Sequence, residues 1–180
     1  GSVGIPLSDT YAKVIDLETG EPLPPGKEGE ICYKGPQVTL GYWEKPEETA
    51  QVFIDGWVHS GDIGYCDEDG YFYVTDRKKD MIIYKGHNVY PRELEEILFE
   101  HPKVGHCAVV GKEDHKGGEI PVAFIQLKPD TQATPEEMLG FVHEKLAKYQ
   151  HVRELFFIDK IPVSAAGKVL KRELRDSLKG

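Results

Sequence analysis

Hydrophobic and polar positions change their rhythm about halfway along the chain. The first part is made of short alternating runs broken by Gly, Pro and Asp. Residues 11–16 and 29–35 alternate and predict two strands. Residues 18–26 (Glu18-Thr19-Gly20-Glu21-Pro22-Leu23-Pro24-Pro25-Gly26) are turn material. Lys45-Pro46-Glu47-Glu48-Thr49, with acids in a first turn, predicts a short helix over 46–51. Asp55-Gly56 and Asp67-Glu68-Asp69-Gly70 predict hairpin turns. Between them, Trp57-Val58-His59 and Ile63-Gly64-Tyr65 flank the polar step Ser60-Gly61-Asp62, and residues 71–75 form the last strand of this part.

After the charged segment Asp76-Arg77-Lys78-Lys79-Asp80 the pattern becomes mixed. Asn88-Val89-Tyr90-Pro91-Arg92-Glu93 opens a helix with Pro91 as first helical residue and Leu94, Ile97 and Leu98 as its inner face. Residues 104–110 and 122–127 are apolar runs of strand length. Thr134-Pro135-Glu136-Glu137 predicts a capped helix start, with Leu139, Val142 and Leu146 as its apolar face. Residues 155–158 predict another strand, and Leu170, Leu174 and Leu178 a short terminal helix. The expected fold class is α+β: a small β-rich subdomain over 1–75, followed by an α+β domain over 76–180 with a small sheet and packed helices. The change of pattern marks 76–80 as a boundary and a candidate hinge.

Composition narrows the function classes. A net charge of −9 argues against a general nucleic-acid binder, which needs a basic surface. No apolar run approaches the ~20 residues of a membrane-spanning helix. The three cysteines, Cys32, Cys66 and Cys107, are scattered, which argues against a disulfide framework or zinc site and fits a cytoplasmic location. The chain opens on Gly1 rather than Met, which fits a piece of a longer protein.

Three places offer chemistry. Ser164-Ala165-Ala166-Gly167-Lys168 puts a lysine after small residues that let a backbone approach a ligand. Its ammonium suits a phosphate or carboxylate oxygen, and a solvated loop lysine is the plainer reading. In Ser60-Gly61-Asp62 a carboxylate after a glycine can accept from a ribose diol, or simply close its own turn. Arg77 can bind the same sugar or a phosphate, or form a surface ion pair with Asp76 or Asp80. The acids of 67–70 lack the terminal glutamate of a calcium loop. The seven histidines are scattered, read as solvated, and imply no metal site.

The order of four motifs is more specific than any one of them. Gly56-Trp57-Val58-His59-Ser60-Gly61-Asp62 comes first. Gly70-Tyr71-Phe72-Tyr73-Val74-Thr75-Asp76-Arg77-Lys78-Lys79-Asp80-Met81-Ile82 follows. Then come Lys85-Gly86-His87-Asn88-Val89-Tyr90-Pro91-Arg92-Glu93-Leu94-Glu95 and Pro162-Val163-Ser164-Ala165-Ala166-Gly167-Lys168. Together they resemble the adenylate-forming superfamily of acyl- and aryl-CoA synthetases, beetle luciferase and peptide-synthetase adenylation domains. The stretch from Asn88 to Glu93 looks most like fatty acyl-CoA synthetases.

The resemblance implies a two-step reaction. A fatty-acid carboxylate attacks the α-phosphate of ATP to give acyl-AMP and pyrophosphate, and CoA then displaces AMP. It implies nucleotide binding by Asp62 and Arg77, catalysis of the first step by Lys168, a hinge at Lys79, and a thioester-forming CoA loop at Lys85, Gly86 and His87. It implies that 1–75 is the last β subdomain of a large N-terminal domain and 76–180 a mobile lid. The superfamily's Ser/Thr/Gly-rich phosphate loop and its Tyr-Gly-x-Thr-Glu motif are absent from these 180 residues. Mg2+ would therefore be held mainly outside them, and the chain by itself is expected to be inactive. Ile83 stands where some relatives carry a lysine. An aryl-CoA ligase or a peptide-synthetase adenylation domain is the alternative within the superfamily, and a non-catalytic stand-alone binding module the alternative outside it. A homo-oligomer is compatible with all three.

Overall fold

The computed structural model describes residues 1–115 and 118–179. The chain forms two compact units, Gly1–Lys79 and Asp80–Gly180, and the whole is an α+β fold with short helices and small sheets. Among the described residues no helix is long and apolar enough to cross a membrane.

In the first unit the turn-bounded runs become β1 (Tyr11–Ile15), β2 (Gly29–Lys34), α1 (Pro46–Val52), β3 (Phe53–Ile54), β4 (Trp57–Cys66) and β5 (Phe72–Arg77). All strand pairs are antiparallel. β2 lies between β1 and β4, and the far edge of β4 is shared by β3 at its start and β5 at its end. Asp55 and Gly56, at φ 51° and 76°, make the two-residue turn between β3 and β4, the left-handed geometry that matches strand twist. Val14, Cys32, Val58, Ile63 and Phe72 are buried in this unit.

Two readings of the sequence change here. Ser60-Gly61-Asp62 is no turn between strands but lies inside the ten-residue β4. Gly61 at φ 70° and register shifts in both neighbouring ladders carry the strand through that irregular step. β5 also runs on through Asp76 and Arg77. Asp76 is buried and its Oδ1 accepts from the Arg77 N–H at 2.7 Å, so charge at these positions does not end the ladder.

A 3-10 turn, Lys78–Asp80, follows. The second unit continues with β6 (Ile82–Tyr84), β7 (His87–Val89), α2 (Pro91–Phe99), β8 (Val104–Glu113), β9 (Glu119–Leu127), α3 (Pro135–His143), β10 (Glu154–Phe157) and α4 (Lys171–Ser177). β9 is central, antiparallel to β8 and parallel to β10. Both faces of this sheet are covered. Cys107, Val109, Ala123 and Ile125 point into one core with Leu94, Leu98, Met138 and Val142 from α2 and α3. Ala108, Val110, Val122 and Phe124 point into a second core with Ile161 and Leu174 of α4. Alternate residues serve opposite cores, which is why β8 and β9 read as unbroken apolar runs.

α2 starts at Pro91 and buries Leu94 and Leu98, with Ile97 half-buried. Asn88 and Val89 belong to β7 rather than to the helix start. Thr134 caps α3, its Oγ1 accepting from the Glu137 N–H at 3.2 Å. That cap sets the helix so that Met138 and Val142 are buried, while Leu139 is half-buried and Leu146 lies past the last helical residue.

The histidines are not all solvated. His101 is buried edge-on against Phe141, their ring centres 4.8 Å apart. His143 stacks on His151 at 4.0 Å and its Nε2 donates to the Val152 carbonyl at 2.9 Å. Burial, with the nearby charges of His151 and Arg153, holds the His143 imidazole below its ordinary pKa of 6.5 against the opposing pull of the Val152 hydrogen bond. The folded ring thus refuses a proton that the unfolded chain accepts, so stability falls as pH drops below about 6.5. Urea midpoints of the chain are expected to decrease between pH 7.5 and 5.5, and His143→Gln is expected to flatten that decrease.

Candidate functional site

Asp62 and Arg77 are directly opposed partners on β4 and β5, so the ladder places both side chains on one face. Arg77 Nε lies 2.6 Å from Asp62 Oδ1. The oxygen has no aligned hydrogen-bond donor, so the contact is an ion pair by distance and not a directed N–H···O bond. Among the described residues Arg77 is ion-paired with Asp62, and Asp80 with Arg175. An apolar cleft of about 340 Å³ opens beside Asp62, lined by Val3, Ile5, Ile31, Phe72 and Val74 among others.

The backbone carrying Asp62 is held by side chains beneath it. Ser60 Oγ donates to the Ile31 carbonyl at 2.6 Å and accepts from the Asp62 N–H at 3.0 Å. The buried carboxylate of Glu30 accepts from the Gly61 N–H at 3.1 Å through Oε1, and its Oε2 faces His59 Nδ1 at 3.2 Å and Lys78 Nζ at 2.9 Å. Burial alone would push the Glu30 pKa up; Lys78, His59 and the Gly61 N–H outweigh it and keep the group below its ordinary value. Sequence reasoning missed Glu30. The only signal available was an acid inside a predicted strand, directly after Gly29.

Glu30, Cys32 and His59 bring three metal-ligand atoms within 4.8 Å of one another. Their chemistry is that of an ion pair. Lys78 already neutralises the carboxylate, and burial and Glu30 push the Cys32 thiol up to about 11, so it keeps its proton. A thiol is also a poor ligand for Mg2+, which takes oxygen donors. This donor set does not fit Mg2+.

Lys168 sits in a tight hairpin of the second unit, between the bridged residues Val163 and Val169. Ser164 N–H donates to the Lys168 carbonyl at 2.8 Å, Gly167 N–H to the Ser164 carbonyl at 2.9 Å, and Lys168 N–H to Ser164 Oγ at 3.2 Å. Gly167 at φ 76° makes the turn. The backbone is pinned while the side chain is exposed, so the loop presents a cation on a fixed base.

Lys85 and Gly86 form the two-residue turn of the β6–β7 hairpin, at φ 50° and 80°. A Cβ on Gly86 would meet nothing within 4 Å; glycine is needed there for its backbone angle. His87 stacks on Tyr149 at 4.8 Å, and the Arg153 guanidinium lies 4.8 Å from the Tyr84 ring centre. Tyr84, Tyr149 and Arg153 thus surround the hairpin with aromatic and cationic groups, an arrangement with no local sequence signal. Of the residues expected to act together, Asp62 and Arg77 meet within the first unit. Lys85, Gly86, His87 and Lys168 belong to the second. Lys79 is exposed in the 3-10 turn.

Comparison with known proteins bears on this arrangement. Residues 93–168 match the family described as AMP-binding enzyme C-terminal domain, and residues 1–43 match the AMP-binding enzyme family. The chain belongs to the adenylate-forming superfamily. It is 48% identical over 174 residues to a long-chain-fatty-acid–CoA ligase of Bacillus subtilis, covering 97% of this chain and 31% of that protein. It is 46% identical over 175 residues to a 2-succinylbenzoate–CoA ligase of Geobacillus kaustophilus, covering 97% and 35%. Its structure is similar to ATP-bound MatB from Rhodopseudomonas palustris, with TM-score 0.93 at 37% identity over 99% of this chain and 36% of that one. The chain thus spans about a third of the superfamily members it matches.

Proposed function

We propose that this chain is the C-terminal part of an ATP-dependent, AMP-forming acid–CoA ligase whose acid is a fatty acid. The observation that carries the proposal is a division of charge. A braced carboxylate–guanidinium pair, Asp62 and Arg77, lies in one unit, and an exposed ammonium on a pinned hairpin, Lys168, in the other. The pair suits a ribose diol. The ammonium suits the carboxylate and phosphate oxygens on which negative charge shifts as a carboxylate attacks ATP. The Lys85-Gly86-His87 hairpin, with its thin backbone at Gly86, suits the pantetheine arm of CoA in a second step, after rotation about Lys79. This requires 1–75 to serve as the last β subdomain of a larger N-terminal domain and 76–180 as its lid. Mg2+ would then be held by residues outside this chain, and the chain's own residues bind, orient and neutralise.

A fatty acid is favoured by the 48% identity to the Bacillus ligase. An aromatic acid is the second reading, since the identity to a 2-succinylbenzoate ligase is nearly as high. A panel of fatty and aromatic acids on the complete enzyme, read by AMP release with CoA present, separates them. Turnover with fatty acids at least about tenfold above aryl acids is expected, a preference of the size pocket contacts commonly supply. A preference for aryl acids would replace the first reading by the second. The isolated 180-residue chain is expected to show no ATP–pyrophosphate exchange, and turnover by it would sink the division of labour proposed here.

A further inference from the structure

Three consecutive residues of the 3-10 turn are attached in three different ways. Lys78 Nζ lies 2.9 Å from Oε2 of Glu30, whose side chain is 4% exposed and belongs to β2 of the first unit. Asp80 Oδ1 lies 2.5 Å from Nη2 of Arg175 on α4, within the second unit. Lys79 between them is exposed and makes no ion pair with a described residue. Release of Lys78 from a carboxylate as buried as Glu30 would leave a shielded charge with only the His59 ring and the Gly61 N–H as partners, which disfavours release. The Asp80–Arg175 pair is largely shielded as well, and a guanidinium offers a directed fork that a flexible ammonium lacks.

We propose that these two ion pairs are clamps that confine rotation to Lys79, and that Glu30 and Arg175 are positioning residues for that rotation. The proposal rests on the reading of Lys79 as pivot. Motion spread over several backbone bonds samples a continuum of orientations. Motion about the φ and ψ of one residue, with both neighbours pinned to opposite units, samples few. An enzyme that needs two defined orientations loses turnover in proportion to the time spent outside them. Glu30 has a second duty. Its other oxygen accepts from the Gly61 N–H, next to Asp62. One buried carboxylate therefore holds both the first clamp and the backbone that carries the nucleotide acid, whereas Arg175 holds a clamp alone.

That asymmetry gives the test. In the complete enzyme, Arg175→Leu is expected to lower overall acid–CoA ligation about tenfold while the KM for ATP in pyrophosphate exchange stays within about twofold. Glu30→Ala is expected to lower ligation similarly and also to raise that KM about fivefold, because it removes the acceptor of the Gly61 N–H and so loosens the Asp62 backbone. The charge exchange Asp80→Arg with Arg175→Asp is expected to restore most of the overall rate. Should Arg175→Leu not fold, Arg175→Lys, which keeps the charge without the fork, is expected to show a smaller loss in the same direction. In the 180-residue chain, backbone amide relaxation is expected to show fast motion at Lys79 between ordered neighbours, spreading to Asp80 in Arg175→Leu. Equal motion across residues 78–80 of the unaltered chain would overturn the clamps. So would a folded Arg175 variant that ligates at the unaltered rate. If the unaltered complete enzyme releases no AMP with any acid, the ligase reading fails instead, and the relaxation result still decides the clamps.

Discussion

Replacing Lys168 by Ala in the complete enzyme is expected to slow acyl-adenylate formation by about 10²–10³-fold, the usual effect of removing one preorganised group from a site of developing charge. Thioester formation from supplied acyl-AMP is expected to stay within a few-fold of normal. The asymmetry follows from where the side chain sits. Its backbone is fixed by bonds between Ser164, Gly167 and Lys168, yet the ammonium is exposed and has no protein ion pair among the described residues. An exposed side chain contributes little to stability, so the loss should appear in the chemistry with the melting temperature almost unchanged. The small residues before it, Ala165 and Ala166, leave the approach to that charge open. Lys168→Arg is expected to recover only part of the rate, because a planar fork cannot place its charge where a compact ammonium does. Pyrophosphate exchange measures the first step, and CoA-dependent AMP release from synthetic acyl-AMP measures the second. Equal loss in both would refute the assigned role and leave Lys168 as a structural or general binding residue.

Much of this fold was legible because its elements obey local rules. The Thr134 cap, Pro91 at the first turn of α2 and the Asp55-Gly56 hairpin are each announced by residues at fixed offsets. Errors came where tertiary structure sets the phase. The face of Leu139, Val142 and Leu146 does pack on the core, with Val142 buried and the two leucines half-buried, but the cap at Thr134 and the chain's exit at His143 add a fully buried Met138 that the pattern did not name. The β6–β7 hairpin escaped notice because its left-handed turn begins with Lys85, not with the Asn, Asp or Gly that usually marks such a turn. Candidate residues could be found one by one, but not their partners. Arg77 faces Asp62 only because register shifts in the ladders around β4 bring the two into line, and no local pattern encodes that register. Glu30 is the clearest case. A buried acid with three donors looks, in sequence, like any polar residue on a strand.

Lys79→Pro tests the moving part, with an expected effect next in size to that of Lys168→Ala and falling on whichever half-reaction needs the rotation. Proline fixes φ near −65°, removes the N–H, and disfavours helical geometry at the residue before it. That preceding residue is Lys78, which lies in the 3-10 turn and is tied to Glu30. The substitution therefore stiffens the exposed residue between the two ion-paired ones and strains a residue tied to the first unit. If catalysis needs two orientations of the second unit, a chain locked near one of them can complete one step and stalls before the other. Overall ligation is expected to fall by about 10- to 100-fold, as for a gating step whose competent fraction shrinks to a few per cent. Whichever half-reaction the locked orientation supports should survive at near its normal rate. That pattern differs from Lys168→Ala in a measurable way. With Lys168 gone, supplied acyl-AMP rescues CoA thioester formation. With Lys79→Pro locked in the orientation that forms acyl-AMP, supplied acyl-AMP gives no rescue, and a burst of one enzyme-equivalent of pyrophosphate precedes a slow steady state. Unaltered turnover by a folded Lys79→Pro enzyme would move the pivot elsewhere, and leave the exposed Lys79, between the ion-paired Lys78 and Asp80, without that role.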